Sequence, residues 1–136
     1  MKTFIVGDIH GRCAQLLNLL DMLPRDSEND TLVFLGDLID RGADAPGCVA
    51  HILKLTQENP ERVICLRGNH EQMLMDFLDG RSNLWLQPVV GGDRTFEQYT
   101  GQQIRIDSEK DLEEMRALFE RSFPAEHLAF MEEMPY

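Results

Sequence analysis

Short apolar runs alternate along residues 1–80 with segments in which apolar residues recur at helical spacing. The runs predict three β-strands, at 3–6, 31–35 and 63–66. The segments between and after them predict three helices. The first spans 12–22, the second begins near Pro46 and ends at the polar stretch 57–61, and the third spans 71–79. Strands that alternate with helices are typical of parallel sheets. We therefore predict an α/β fold in which a mostly parallel sheet is flanked by helices.

The pattern weakens after Gly80, where Pro88 and several glycines interrupt the chain. A charged helix is predicted to resume from Lys110 to about Arg121. A chain of 136 residues is long enough to bury roughly 70% of the surface that it exposes when unfolded. We therefore predict a single domain over residues 1–136.

A polar cluster directly follows each predicted strand. The three clusters are residues 7–11 (GDIHG), 36–42 (GDLIDRG) and 67–71 (RGNHE). Ligand sites of open α/β sheets lie outside the carboxyl ends of the strands, so we expect the three clusters to converge. Their glycines permit the tight turns and the close backbone approach that convergence requires.

Five side chains of these clusters suit a divalent metal ion, and they are Asp8, His10, Asp37, Asn69 and His70. Carboxylate, imidazole and amide groups together favour manganese, iron or zinc. Two such ions about 3.5–4 Å apart hold a phosphoryl oxygen and make a bridging water nucleophilic at neutral pH. A pair of ions needs a bridging carboxylate, and we assign Asp37 to that role.

Each cluster taken alone has a commoner structural explanation. An aspartate after a strand often caps a helix. The middle cluster is compatible with a salt-bridged turn, and the third with a turn followed by capping residues. The occurrence of all three in order, each directly after a strand, favours the metal site.

The charge of the chain argues against some classes of partner. Its 13 basic and 24 acidic side chains give a formal charge of −11, which opposes sequence-independent binding to nucleic acid or anionic membranes. Three cysteines without CxxC spacing argue against disulfides and structural zinc. No apolar run approaches the ~20 residues that span a bilayer, and the first strand begins too early for a signal peptide. We expect a soluble cytoplasmic protein.

The order and spacing of the three clusters resemble those of the N-terminal motifs of the calcineurin-like metallophosphoesterases. The resemblance is to the phosphoprotein-phosphatase branch, which includes bacterial serine/threonine protein phosphatases and diadenosine tetraphosphatases. It extends from Met1 to about Asp79. It implies the N-terminal half of the family's α/β sandwich. It also implies two divalent metal ions, for which manganese is our first choice among manganese, iron and zinc.

The resemblance also implies a role for each metal ligand. Asp8 and His10 would hold the first ion, and Asp37 would bridge both ions. Asn69 would bind the second ion. The resemblance removes His70 from the ligand set that the residue types alone suggested.

The remaining motif residues are implied to act on the substrate. His70 would be the general acid that protonates the leaving oxygen, and Asp40 would orient it. Arg41 and Asn69 would contact the substrate phosphate, because the planar fork of a guanidinium suits two phosphate oxygens.

A segment after the third motif is similar to one in the bacterial members of the family. Its residues are Trp85, Gly91, Gly92, Thr95 and Tyr99, with Val90 where those members have asparagine. In the family, a later strand ending in Val-His-Ala-Gly and a further histidine bind the second metal. The chain ends at Tyr136, and we expect its other histidines, His51 and His127, to be ordinary helical residues.

We therefore hypothesise that the chain is a fragment or a truncated product, with its second metal weakly held or absent. The sheet would then have an open edge that invites homo-oligomers. The leading function is metal-dependent hydrolysis of a phosphomonoester, in a phosphorylated protein, by a metal-bound hydroxide. The alternatives are symmetrical cleavage of a dinucleotide, diadenosine tetraphosphate, and an inactive module that only binds phosphate.

Overall fold

A three-stranded parallel sheet forms the centre of the computed structural model, which describes all of residues 1–136. Its strands are β1 (Thr3–Val6), β2 (Thr31–Phe34) and β3 (Val63–Cys65), in the order β1-β2-β3. The register pairs Phe4 with Leu32, and Leu32 with Val63. The three predicted strands and their parallel arrangement are thus confirmed, with β2 and β3 each one residue shorter than predicted.

Six α-helices and one 3-10 helix complete the fold. The α-helices are α1 (Cys13–Met22), α2 (Ala45–Glu58), α3 (Asn69–Leu78), α4 (Gly92–Thr100), α5 (Glu109–Ser122) and α6 (Ala125–Glu133), with the 3-10 helix at Leu84–Leu86. The α/β class is confirmed, as are the predicted helices α1, α2, α3 and α5. Helix α4 was not predicted, because glycines interrupt the sequence at its start. None of the helices combines the length and the continuous apolar character of a membrane span.

The sheet buries one face. Alternate residues of a strand point to opposite sides, so Leu32, Phe34 and Cys65 share a face, and each is at most 4% exposed. On the opposite face Ile5 is 65% exposed and Ile64 is 38% exposed. The predicted homo-oligomer stays a prediction, as does the single domain.

A cluster of aromatic side chains packs the second half of the chain against α3. Phe119 of α5 lies at its centre, with ring centroids 5.0 Å from Trp85 and 5.6 Å from Phe96. Phe77 of α3 contacts Trp85 at 5.3 Å. Each of these four rings is fully buried, and burial of such a side chain stabilises the fold by about 1.5–3 kcal/mol. The cluster fixes the 3-10 helix and α4 beside the loops that follow β2 and β3.

Candidate metal centre

The loops after β1 and β2 are joined by their backbones. The amide nitrogens of Ile9 and His10 both donate to the carbonyl oxygen of Asp37, at 3.0 and 2.9 Å. The amide of Gly11 donates to the carbonyl of Leu38 at 2.8 Å. These hydrogen bonds bring the first two motifs together, as the positions of the strand ends predicted.

The loops after β2 and β3 approach closely enough to require glycine. A Cβ atom on Gly36, whose φ is +87°, would lie 2.2 Å from the amide nitrogen of Gly68. A Cβ atom on Gly68 would lie 2.2 Å from Oδ1 of Asp37. Both glycines are therefore needed for the second and third motifs to come together.

Glu71 links the same two loops from within the protein. Its carboxylate accepts hydrogen bonds from the amides of Asp37 and Leu38, both at 2.7 Å, and from the amide of Gly68 at 3.0 Å. Burial raises the pKa of Glu71, and the three N–H donors oppose that shift. The sequence pattern assigned Glu71 no role in the metal site and indicated only that the third cluster could contain capping residues. The position of Glu71 in the first turn of α3, where a glutamate reaches back to the N-cap amide, is the signal that could have found it.

Four residues other than glycine have a left-handed backbone, and all four are predicted site residues. They are His10 (φ +46°), Asp37 (φ +52°), Asp40 (φ +74°) and Arg41 (φ +68°). This conformation costs an ordinary residue roughly 1–2 kcal/mol. Such strain is typical of functional sites, where the surrounding structure holds residues in place.

His10, Asp37 and His70 form a group whose potential ligand atoms all lie within 4.8 Å of one another. Nδ1 of His10 lies 2.9 Å from the carbonyl oxygen of Ile39, which accepts a hydrogen bond but cannot donate one. Nδ1 of His10 therefore carries the proton, and Nε2 presents its lone pair. A hydrogen bond from the other ring nitrogen to a backbone carbonyl is how proteins fix the tautomer of a metal-binding histidine.

The other two predicted ligands lie next to this group. Oδ2 of Asp8 is 3.7 Å from Nε2 of His10, and its side chain is 65% exposed. The amide group of Asn69 lies 3.0 Å from Oδ2 of Asp37, to which its NH2 donates in the orientation that satisfies both groups. With that amide rotated by 180°, its oxygen would be available as a ligand beside Asp37.

The donor set fits a divalent cation. Asp8 and Asp37 supply carboxylates, His10 supplies an oriented imidazole and Asn69 an amide oxygen, so every donor is one that manganese, iron or zinc accepts. Asp37 lies beside His10, Asn69 and His70, and its Oδ1 accepts from the amide of His70 at 2.9 Å. Its central position suits the bridging role predicted for it, which stays a prediction.

Asp40 and His70 form a buried pair behind the ligands. Nδ1 of His70 lies 2.6 Å from Oδ2 of Asp40, which is fully buried. This hydrogen bond raises the pKa of His70, with the charge of Asp40 adding to the effect and burial opposing it. Because Nδ1 is occupied, Nε2 is the nitrogen left to exchange a proton with a substrate.

Arg41 is exposed, and the residues just before α4 contact its backbone and its side chain. Its amide donates to the carbonyl of Gly91 at 3.1 Å, and its Nε is 3.4 Å from the carbonyl of Val90. A Cβ atom on Gly91 would lie 2.6 Å from Cγ of Arg41, so the contact requires glycine. The backbone oxygen of Val90 provides this contact whatever its side chain is.

His51 and His127 lie away from the centre, on α2 and α6, and the expectation that both are helical residues is confirmed. Nδ1 of His127 forms a hydrogen bond with the hydroxyl of Tyr99 at 2.8 Å. Burial lowers the pKa of His127. Neither histidine belongs to the group of converging ligands.

Comparison with known proteins identifies the family. The family described as calcineurin-like phosphoesterase matches residues 1–131. The chain is 44% identical over 91 residues to serine/threonine-protein phosphatase 1 of Salmonella typhimurium, covering 66% of this chain and 38% of that protein. It is 35% identical over 80 residues to the symmetrical bis(5'-nucleosyl)-tetraphosphatase of Glaesserella parasuis, covering 59% of this chain and 28% of that protein.

A solved structure supports the fold. The crystal structure of a putative diadenosine tetraphosphatase matches 98% of this chain and 42% of its own, with a TM-score of 0.59 and 24% sequence identity. The chain belongs to the calcineurin-like phosphoesterase family, as the three motifs predicted. It spans less than half the length of the relatives that it matches.

Proposed function

We propose that this chain carries the metal-binding and phosphate-binding centre of a phosphoester hydrolase, with serine/threonine phosphoprotein as its first substrate class. The observation that supports the proposal most is the convergence of His10 and Asp37, on two loops joined by backbone hydrogen bonds, with His70 in the first turn of α3. The similarity to serine/threonine-protein phosphatase 1 of Salmonella typhimurium favours a phosphoprotein substrate.

Four residues would serve as metal ligands. Asp8, His10 and Asp37 would hold one divalent ion, and Asp37 and Asn69 alone would hold a second ion only weakly. Bound ions would supply positive charge at the phosphate and an activated water. We infer manganese first, because the set is rich in oxygen donors and lacks thiolates. None of the three cysteines belongs to the converging group.

Arg41 and His70 would act on the substrate itself. The exposed guanidinium of Arg41 would pair with two phosphate oxygens, and Asn69 would contribute a further polar contact. Nε2 of His70 would protonate the departing alkoxide, since Asp40 occupies Nδ1. Arg41 lies on the loop that carries Asp37, and His70 follows Asn69 in the first turn of α3, so one bound phosphate would meet both.

Symmetrical cleavage of a dinucleotide tetraphosphate is the second candidate function. The match to the tetraphosphatase of Glaesserella parasuis favours it. The same ligands serve both reactions, because the two substrates differ in the groups beyond the phosphate.

A comparison of substrates with manganese present tests the proposal. We expect turnover of a phosphoserine or phosphothreonine peptide with a higher kcat/KM than that of diadenosine tetraphosphate. A higher kcat/KM on the dinucleotide would transfer the assignment to the second candidate. If the chain hydrolyses neither substrate and does not hydrolyse p-nitrophenyl phosphate either, the chain is only a phosphate-binding module.

We also propose a cytoplasmic location and a single domain over 1–136. All three cysteines are free, which is the usual state in a reducing compartment. One core of 24 buried residues draws on both halves of the chain, from Val6 to Met134, which supports one domain.

A further inference from the structure

The buried carboxylate of Asp40 has more partners than His70 alone. Oδ1 accepts from the hydroxyl of Thr95 at 2.8 Å, and Nε1 of Trp85 donates to both oxygens, at 3.0 and 3.1 Å. The hydroxyl of Thr95 also accepts from the backbone amide of Asp40 at 2.8 Å. That amide hydrogen bond occupies a lone pair of the Thr95 oxygen and leaves its one proton for Oδ1.

These contacts determine which way the carboxylate faces. Thr95 and Trp85 hold Oδ1, and Trp85 shares Oδ2 with Nδ1 of His70. Asp40, Trp85 and Thr95 are all fully buried, so water does not replace any of these donors. A rotation of the carboxylate away from His70 would leave at least one of them unsatisfied inside the protein, at a large cost.

The backbone of the same turn is held by α4 as well. Gln98 accepts from the amide of Ala45 at 2.8 Å and donates to the carbonyl of Gly42 at 2.9 Å. The side chains of Thr95 and Gln98 lie about one helical turn apart on α4, so one face of α4 contacts the whole turn. The left-handed conformation of Asp40, which costs energy in isolation, is stabilised by these contacts.

We propose that Trp85 and Thr95 are positioning residues of the acid pair, which fix the Asp40 carboxylate against Nδ1 of His70. Neither side chain is expected to touch the substrate. Their effect reaches the reaction through the orientation of His70, so this inference rests on the function proposed above.

Thr95 offers the cleaner test, because valine has the same shape and lacks the hydroxyl, whereas serine keeps the hydroxyl. Thr95→Val is expected to lower kcat about 10- to 100-fold, the loss typical of a hydrogen bond to a charged group, with KM little changed. Thr95→Ser should retain most of the activity. Thr100→Val is the matched control, because its hydroxyl bonds to the carbonyl of Phe96 on the same helix, away from Asp40.

A measurement on the metal-free chain separates this inference from the proposed function. The histidines of the protein are labelled with nitrogen-15, and the Nδ1 proton of His70 is observed by nuclear magnetic resonance. Its resonance is the one that disappears in His70→Asn. We expect a resonance protected from exchange with water in the wild type, Thr95→Ser and Thr100→Val. In Thr95→Val and Trp85→Phe we expect faster exchange, because the carboxylate then moves.

The spectrum decides the inference even if the chain hydrolyses none of the phosphoesters. An Nδ1 resonance in Thr95→Val and Trp85→Phe with wild-type shift and exchange rate would overturn it. Equal losses of kcat in Thr95→Val and Thr95→Ser would also overturn it. If Trp85→Phe fails to fold, the comparison of the two Thr95 variants decides the question alone.

Discussion

Replacement of His70 with asparagine is expected to lower kcat about 10²- to 10⁴-fold, the range typical of a lost general acid. Nε2 of His70 is the nitrogen available for proton transfer, because Nδ1 lies 2.6 Å from Asp40. The loss should depend on the leaving group. Phenyl phosphate, whose more basic phenoxide leaves more readily when it is protonated, should suffer more than p-nitrophenyl phosphate, whose less basic phenoxide departs without a proton.

The same substitution at His51 is the matched control. His51 lies on α2 and outside the converging group, so His51→Asn should leave kcat unchanged on both substrates. Equal losses on phenyl phosphate and p-nitrophenyl phosphate in His70→Asn would contradict the acid role. That result would instead agree with the ligand role that the residue types alone suggested for His70.

Replacement of Gly36 with alanine is expected to have the largest effect on folding. Its φ is +87°, and a Cβ atom there would lie 2.2 Å from the nitrogen of Gly68, which is a backbone atom and not the end of a flexible side chain. Left-handed strain of about 1–2 kcal/mol adds to steric overlap of about 1–3 kcal/mol. The sum of about 2–5 kcal/mol is a large part of the 5–15 kcal/mol that stabilises a typical domain.

The variant Gly101→Ala measures the left-handed backbone strain alone, without the steric overlap of a Cβ atom. Gly101 has a φ of +71° at the end of α4, but nothing lies within 4 Å of a Cβ atom there. Urea unfolding should therefore show a loss of about 1–2 kcal/mol for Gly101→Ala and a clearly larger loss for Gly36→Ala. Equal losses in the two variants would show that the loops after β2 and β3 do not meet as closely as the structure places them.

The fold of the first half could be predicted from sequence because its information is local. Residues 3–6 and 31–35 are short apolar runs, and Asp8 and Asp37 come directly after them. Parallel strands place their carboxyl ends at one edge, so the meeting of the first two motifs follows from the strands alone. The resemblance then supplied roles that the strand pattern could not.

The support around Asp40 could not be predicted in the same way. Trp85 and Thr95 are 45 and 55 residues away along the chain, and sequence similarity marked both without showing what they touch. Thr95 is a buried polar residue in a short helix with only two apolar positions, Phe96 and Tyr99, and glycines at both ends, so the sequence pattern did not reveal α4. The left-handed backbone at Arg41 opposes its local preference, and only contacts such as that with Gly91 explain it.

Calorimetric titration with Mn²⁺ tests the metal centre most directly. The wild type is expected to bind the ion, and Asp37→Asn is expected to lose that binding, because Asp37 lies between His10, Asn69 and His70. Asp21→Asn, an equal change of charge at an exposed position on α1, should bind as the wild type does. No binding by the wild type, or equal binding by the wild type and Asp37→Asn, would contradict a metal centre at the ends of these three strands.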